Sequence, residues 1–320
     1  MKSLRLVATS LSCVVLVLVL GGLPFSIDAQ LSPSFYNKTC PNVSSIVTQI
    51  LTNVSKTDPR MLASLVRLHF HDCFVQGCDA SVLLNNTATI VSEQEAFPNN
   101  NSLRGPSWTV PLGRRDGLTA NRTLANQNLP APFDALDKLK AAFKAQGLDT
   151  TDLVALSGAH TFGKAHCSFF VGRLYNFSNT GKPDPSLNTT YLTQLRTICP
   201  NGGPGTNLTN FDPTTPDKFD KNYYSNLQVK NGLLQSDQEL FSTSGADTIS
   251  IVNKFSANQS AFFESFKAAI IKMGNIGVLT GSQGEIRKQC NFVNSKSAEL
   301  DIDTIESIDS SEEDGIVSSI

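Results

Sequence analysis

The chain has little net charge, −2 over 320 residues, and beyond its first residues it holds no basic run. Neither a nucleic acid nor an anionic membrane surface is therefore an expected partner. After Gln30 no stretch is long and apolar enough to span a bilayer, so no membrane span is predicted. Internal repeats and sustained period-2 alternation are both missing, which excludes a repeat array or a large sheet. Histidine is scarce, with four residues, and there is no His-Glu-x-x-His zinc motif. Any histidine chemistry must come from His69, His71, His160 and His166.

What is present begins with a secretory pattern: Lys2 and Arg5, an apolar stretch from Leu11 to Leu23, then Ala29 ahead of Gln30, which sets residues 1–29 as a signal peptide. Asn-x-Ser/Thr acceptors at Asn37, Asn42, Asn53, Asn85, Asn100, Asn121, Asn176, Asn188, Asn207 and Asn258 agree with that route. Cys13 lies in the leader. Cys40, Cys73, Cys78, Cys167, Cys199 and Cys290 remain, an even set in an oxidising compartment, and the sequence leaves their pairing open. The length suffices for a substantial core in one or two closely packed domains. From Ser297 to Ile320 the chain turns acidic and reads as a tail outside the fold.

The helical signals dominate. Asp58-Pro59 is a strong start, and Met61, Leu62, Leu65 and Leu68 carry the helix towards His71. Further helices are predicted at Phe133, Leu136, Leu139 and Phe143, ending near Gly147; at Leu153, Val154 and Leu156, leading into His160; and at Phe262, Phe266, Ile270 and Met273, ending near Gly274. The connections Asn176–Pro185 and Pro200–Pro216 read as loops. The fold class is mainly α.

On the first helix Arg67 and His71 are i,i+4 neighbours with Phe70 beside them, while His69 is rotated away. A cation, an imidazole and an aromatic wall on one cavity suit heterolysis of a small polar bond; a structural His-Arg pair at a helix end has the same spacing. In the following loop, Asp72, Asp79 and Ser81 offer hard oxygens. The carbonyls of Val75 and Gly77 are able to complete a shell, and a Cys73–Cys78 bridge is able to close it. That pattern fits a calcium site and equally a disulfide-closed polar turn, and it is not an EF-hand. Around His160, the small residues Gly158, Ala159 and Gly163 would let a flat cofactor approach the backbone. No Cys-x-x-Cys-His motif is present, so a haem would be bound non-covalently.

The segments Arg67-Leu68-His69-Phe70-His71-Asp72-Cys73-Phe74-Val75-Gln76-Gly77-Cys78-Asp79-Ala80-Ser81 and Asp152-Leu153-Val154-Ala155-Leu156-Ser157-Gly158-Ala159-His160-Thr161 resemble the distal and proximal signatures of class III plant secretory peroxidases. The resemblance runs from Gln30 to about Asn294, giving a domain of residues 30–296. It implies a mainly α fold with haem b between distal and proximal halves. It further implies His71 as distal acid–base, Arg67 as charge stabiliser, Phe70 as distal wall, and Glu93 and Asn99 as partners that keep the distal imidazole basic. His160 is implied as axial iron ligand with Asp237 as its hydrogen-bond partner. Two Ca2+ are implied: a distal ion at Asp72, Val75, Gly77, Asp79 and Ser81, and a proximal one at Thr161, Asp212, Thr215 and Asp220, with a carbonyl from Lys218. Pro130, Phe97 and Phe169 resemble the rim met by phenolic reductants. The implied disulfides are Cys73–Cys78 and Cys167–Cys199. The implied activity is reduction of hydrogen peroxide with one-electron oxidation of phenolic donors, by a monomer in the extracellular space or cell wall, or in the vacuole if the acidic tail directs it there.

The pattern breaks once. In the family, an Arg-Gly pair like Arg104-Gly105 is followed by two helices, with a Cys-Pro-x-x-Val-Ser-Cys-Ala-Asp element between them, before a segment like Pro106-Ser107-Trp108. Here Gly105 runs straight into Pro106, a gap of roughly 35 residues, about two ordinary helices. The usual partners of Cys40 and Cys290 lie in that segment, so both thiols are orphaned, to remain free, mispair between chains or bond to each other. The competing readings are a calcium-binding glycoprotein of peroxidase descent without activity, which haem binding separates from an enzyme, and a structural cell-wall glycoprotein.

Overall fold

The computed structural model describes residues 31–57, 61–93 and 109–294. The leader 1–29, the Asp58-Pro59 helix start, Phe97, Asn99, Asn100, the Gly105-Pro106 junction and the tail 297–320 lie outside the described residues. The element order is α1 (Val43–Thr57), α2 (Met61–Val75), α3 (Arg122–Asn128), α4 (Leu136–Ala145), α5 (Thr150–Ser157), β1 (Lys164–His166), α6 (Val171–Tyr175), α7 (Thr189–Ile198), β2 (Leu208–Asn210), α8 (Asn222–Gln228), α9 (Gln235–Ser242), α10 (Thr248–Ala257) and α11 (Gln259–Met273). A short 3-10 turn, Gly158–Thr161, continues α5. The mainly α expectation holds. The one sheet among the described residues is an antiparallel pair, Lys164 opposite Asn210, and it corrects the reading of Pro200–Pro216 as loop throughout.

Helix starts follow side-chain chemistry. Asp149 accepts from the amides of Thr151 and Asp152, and Asp152 Oδ2 accepts back from the Asp149 amide at 2.8 Å, a reciprocal cap that fixes the start of α5. Asn121, Asn188 and Asn258 cap α3, α7 and α11 through their carbonyl oxygens. The core forms where α5 crosses α11: Leu153, Val154 and Ala155 meet Phe262, Phe266 and Ile270, all buried. Tyr224, its hydroxyl donating to the Val154 carbonyl at 2.9 Å, packs edge-on to Phe255 and Phe262. The predicted stripes of α4 and α11 are thus buried, apart from Phe133, which precedes α4 and is 59% exposed.

α2 behaves differently. Met61, Leu65 and Leu68 are each 37% exposed, and on α1 Ile46 and Ile50 are 48% and 56% exposed. Both helices form as their sequence dictates, yet each leaves apolar side chains facing outwards.

A smaller apolar cluster of Phe170, Leu174, Leu187, Leu195, Phe211 and Leu233 flanks the core. Through it runs a buried ion pair, Arg173 Nε to Asp184 Oδ2 at 2.8 Å, with the Arg173 guanidinium also donating to the carbonyls of Gly232 and Leu233 at 2.8 and 2.6 Å. These bonds anchor the strand of chain that leads into α9. Removing one member of a buried pair leaves the other charge uncompensated, at a cost of about 3–5 kcal/mol. Asp184→Ala is expected to lower unfolding stability by about that amount in urea titration; an unchanged midpoint would contradict the role given to the pair.

Candidate active site

The face of α2 that carries Arg67, Phe70 and His71 forms one wall of a cavity of about 390 Å3. His160, from the turn after α5, enters the same cavity, and Phe162, Phe211 and Pro130 complete its largely apolar lining. His69 and His71 thus divide as their helical positions predict, because His69 is absent from that lining and sits beside Cys73. Phe70 is wedged by Phe74, with ring centroids 4.3 Å apart, and by Phe143 at 6.1 Å. His71 is 5% exposed. Burial lowers the Arg67 guanidinium to about 10, still protonated at neutral pH.

His160 is held on three sides. Its Nδ1 lies 2.8 Å from Asp237 Oδ1, its ring stacks on Phe211 with centroids 4.2 Å apart, and Tyr223 stands edge-on with centroids 6.4 Å apart. Asp237 is buried in the first turn of α9 and also accepts from the Tyr223 hydroxyl at 2.9 Å and from the Leu234 amide at 3.2 Å. With Nδ1 donating to the carboxylate, Nε2 keeps its lone pair as a ligand atom. A largely apolar cavity lined by two imidazoles, one of them bonded to a buried carboxylate, suits a non-covalently bound metalloporphyrin.

Gly158 calls for a correction. A Cβ there would lie 2.2 Å from the Tyr224 hydroxyl and 2.5 Å from Phe262, so its smallness serves the packing of α5 on α11 rather than approach to a cofactor. Gly163 has φ +96°, a turn conformation. Of the three small residues, Ala159 lines the cavity.

The loop after α2 gathers buried acid. Asp72 Oδ2 accepts from the Ala80 amide at 3.1 Å, whereas Oδ1 is buried without a hydrogen-bond partner. Asp79 and the fully buried Glu93 lie close by, and burial, then the charges of Asp79 and Glu93, push Asp72 up to about 7. Glu93 accepts from the Asn121 amide at 2.8 Å. Gly77, at φ +102°, packs directly on Gly277. Crowded buried carboxylates with an oxygen to spare suit a hard cation. Beyond the 3-10 turn, Thr215 Oγ1 reaches Asp212 Oδ2 at 3.3 Å and Asp220 Oδ1 at 3.1 Å, and Thr161 Oγ1 meets the Lys218 carbonyl and the Asp220 amide at 3.4 Å. All four side chains predicted for the second cation therefore converge.

Cys73–Cys78 and Cys167–Cys199 are bridged, and Cys40 and Cys290 are free rather than joined to each other. Phe169 and Pro130 line the cavity. Tyr223 and Phe211 were not legible as site residues: no motif marks them, and a lone aromatic next to Asp212 or Tyr224 carries no periodic signal.

A family model described as Peroxidase matches residues 47–105 and 101–258. The chain belongs to the peroxidase family. Among plant relatives, it is 56% identical over 306 aligned positions to Peroxidase 15 of Ipomoea batatas, which covers 83% of this chain and 94% of the relative. It is 49% identical over 321 positions to Peroxidase 54 of Arabidopsis thaliana, with 88% and 90% covered, and 49% identical over 332 positions to Peroxidase 22 of the same plant, with 92% of each covered. The protein is a plant haem peroxidase, taking hydrogen peroxide and a reductant, as the resemblance implied. In each alignment the positions outnumber the residues of this chain that they cover, and the two family matches meet at 101–105. Among the described residues no helix is long and apolar enough to cross a membrane.

Proposed function

We propose that this chain reduces hydrogen peroxide and oxidises phenolic donors with His160 as the axial ligand of haem b and His71 as the acid–base group. The observation that carries the reading is the entry of both imidazoles into one apolar cavity, His71 beside Arg67 and His160 against the buried Asp237. When bound, haem supplies the redox-active iron at which peroxide is reduced and from which phenols are oxidised one electron at a time. The His71 imidazole would take a proton from peroxide and return it to the oxygen released as water, with the haem supplying the two electrons. Arg67, protonated at neutral pH, would steady the negative charge that gathers on the departing oxygen. Phe70 walls the site against water, and Asp237 keeps the Nδ1 proton of His160 in place so that Nε2 would be free to hold the metal. Glu93 and Asn99 keep His71 basic, and Pro130, Phe97 and Phe169 form the rim that receives the phenol.

Two Ca2+ belong to this reading: one at Asp72, Asp79 and Ser81 with the carbonyls of Val75 and Gly77, the other at Thr161, Asp212, Thr215 and Asp220 with the Lys218 carbonyl. The buried Asp72 oxygen without a partner and the converging Thr215, Asp212 and Asp220 support them. The leader pattern and the sequons support export, and the reading takes the exported protein as a monomer bound for the wall or, through the acidic tail, the vacuole.

The chain also lacks the family segment of roughly two helices after Gly105. The meeting of the two family matches at 101–105, the outward apolar side chains of α1 and α2, and the free Cys40 and Cys290 support this.

Exchanging the two histidines tests the assignment. His160→Ala is expected to lose stable haem binding, read as the Soret band, while His71→Ala keeps the haem and loses peroxide reactivity by about 10²–10⁴-fold. The opposite pattern would reverse the roles.

Removing calcium should lower the melting temperature, since an ion held at a hundred times its dissociation constant contributes about 3 kcal/mol. An unchanged melting temperature after verified removal speaks against both sites.

Restoring the segment should raise stability, haem occupancy and turnover of a phenolic dye. Covering a few hundred Å2 of apolar surface is worth several kcal/mol at about 25 cal/mol per Å2, and each recovered cross-link about 2–4 kcal/mol. Equal free-thiol counts, occupancy and turnover in the two versions would show that the fold tolerates the gap.

A further inference from the structure

We propose that Tyr223 sets how strongly Asp237 draws on the His160 proton, making it a positioning residue that tunes the iron through its ligand. This rests on the reading of His160 as the axial ligand. A single oxygen, Asp237 Oδ1, accepts from both His160 Nδ1 at 2.8 Å and the Tyr223 hydroxyl at 2.9 Å. The other oxygen is taken by the Leu234 amide at 3.2 Å. Tyr223 and Asp237 are each 2% exposed, so water has no ready route to replace the phenol.

Two donors on one oxygen compete for the same electron density. The phenol therefore weakens the pull of the carboxylate on the imidazole N–H, and His160 keeps less imidazolate character than a singly bonded carboxylate would give it. The donor is also fixed in place: the Tyr223 hydroxyl is buried and lies 2.9 Å from Asp237 Oδ1. Its ring is fixed edge-on to Tyr224, with centroids 5.0 Å apart, which holds the hydroxyl on its acceptor.

A phenol that merely satisfies its own buried hydroxyl would affect stability alone. A tuning phenol must also move the iron–histidine bond. The experiment compares unsubstituted protein and Tyr223→Phe, both loaded with haem, by resonance Raman of the ferrous form and by reduction potential. The expected result is an iron–histidine stretching band shifted to higher frequency and a more negative potential in Tyr223→Phe, because the unshared carboxylate makes the imidazole a stronger donor. A band present in both proteins at one frequency overturns this inference alone. Absence of any iron–histidine band from the unsubstituted protein overturns the ligand assignment and this inference with it. If Tyr223→Phe does not fold, tyrosines replaced throughout by a fluorotyrosine give a more acidic phenol of nearly the same shape. The band must then move to lower frequency, and an unmoved band is again decisive against the proposal.

Discussion

The site depends on one buried carboxylate. Asp237 collects donors from three separate pieces of chain: His160 from the turn after α5, Tyr223 from α8, and the Leu234 amide at the start of α9. A carboxylate so deeply buried is tolerable only when its lone pairs are met by donors, and each donor it recruits becomes fixed in return. Asp237 therefore does in the proximal half what a metal does elsewhere: it sets the relative positions of elements that share no local sequence. The segment before it is itself pinned, because Arg173 holds the carbonyls of Gly232 and Leu233 while paired with Asp184. A chain of buried polar contacts thus runs from α6 to the imidazole in the cavity.

The other half relies on a different device. Arg67, Phe70 and His71 need no long-range partner to share a face, since the helix repeat alone aligns them. What they need is a fixed helix end, and the loop that follows α2 folds back on itself through Cys73–Cys78 and packs Gly77 on Gly277. The same loop concentrates buried acid next to His71 in sequence. Cation binding there would offset repulsion between Asp72, Asp79 and Glu93 and, by holding the loop, hold the helix end that carries the imidazole.

This difference decides what could be read from the sequence. The distal group lies within one helix turn, so spacing alone puts its side chains on one face, and the resemblance was needed to give them a role. Asp237 lies 77 residues from His160, so only the family resemblance selected it, and Tyr223 and Phe211 had no signal at all. Helix α1 carries a helical apolar repeat, Val43, Ile46, Val47, Ile50, Leu51 and Val54, in a segment otherwise rich in Ser, Thr and Asn, which are weak intrinsic helix formers. The sequons at Asn121, Asn188 and Asn258 carried a second message that the acceptor motif hides. Each of these side chains caps a helix through its carbonyl oxygen. The small residues around His160 misled in one place, because the demand for Gly158 comes from Tyr224 and Phe262 behind the helix and not from the cavity in front.

The outward face of α2 shows how a missing segment would act on a site it does not touch. Met61, Leu65 and Leu68 lie on a different side of the helix from Arg67, Phe70 and His71, so a partner lost from the first side removes no group from the second. A helix packed on one side only is nevertheless less constrained in position, since interiors transmit strain and hold side chains by contact from every direction. Proton transfer by His71 and charge stabilisation by Arg67 depend on placement to within a fraction of an ångström, so a loosened helix lowers the rate while leaving the chemistry the same. The consequence falls unevenly across the cavity. The proximal imidazole, fixed by buried hydrogen bonds from α8 and α9, would keep its geometry, and the distal pair, which depends on how α2 is packed, would be the part to shift.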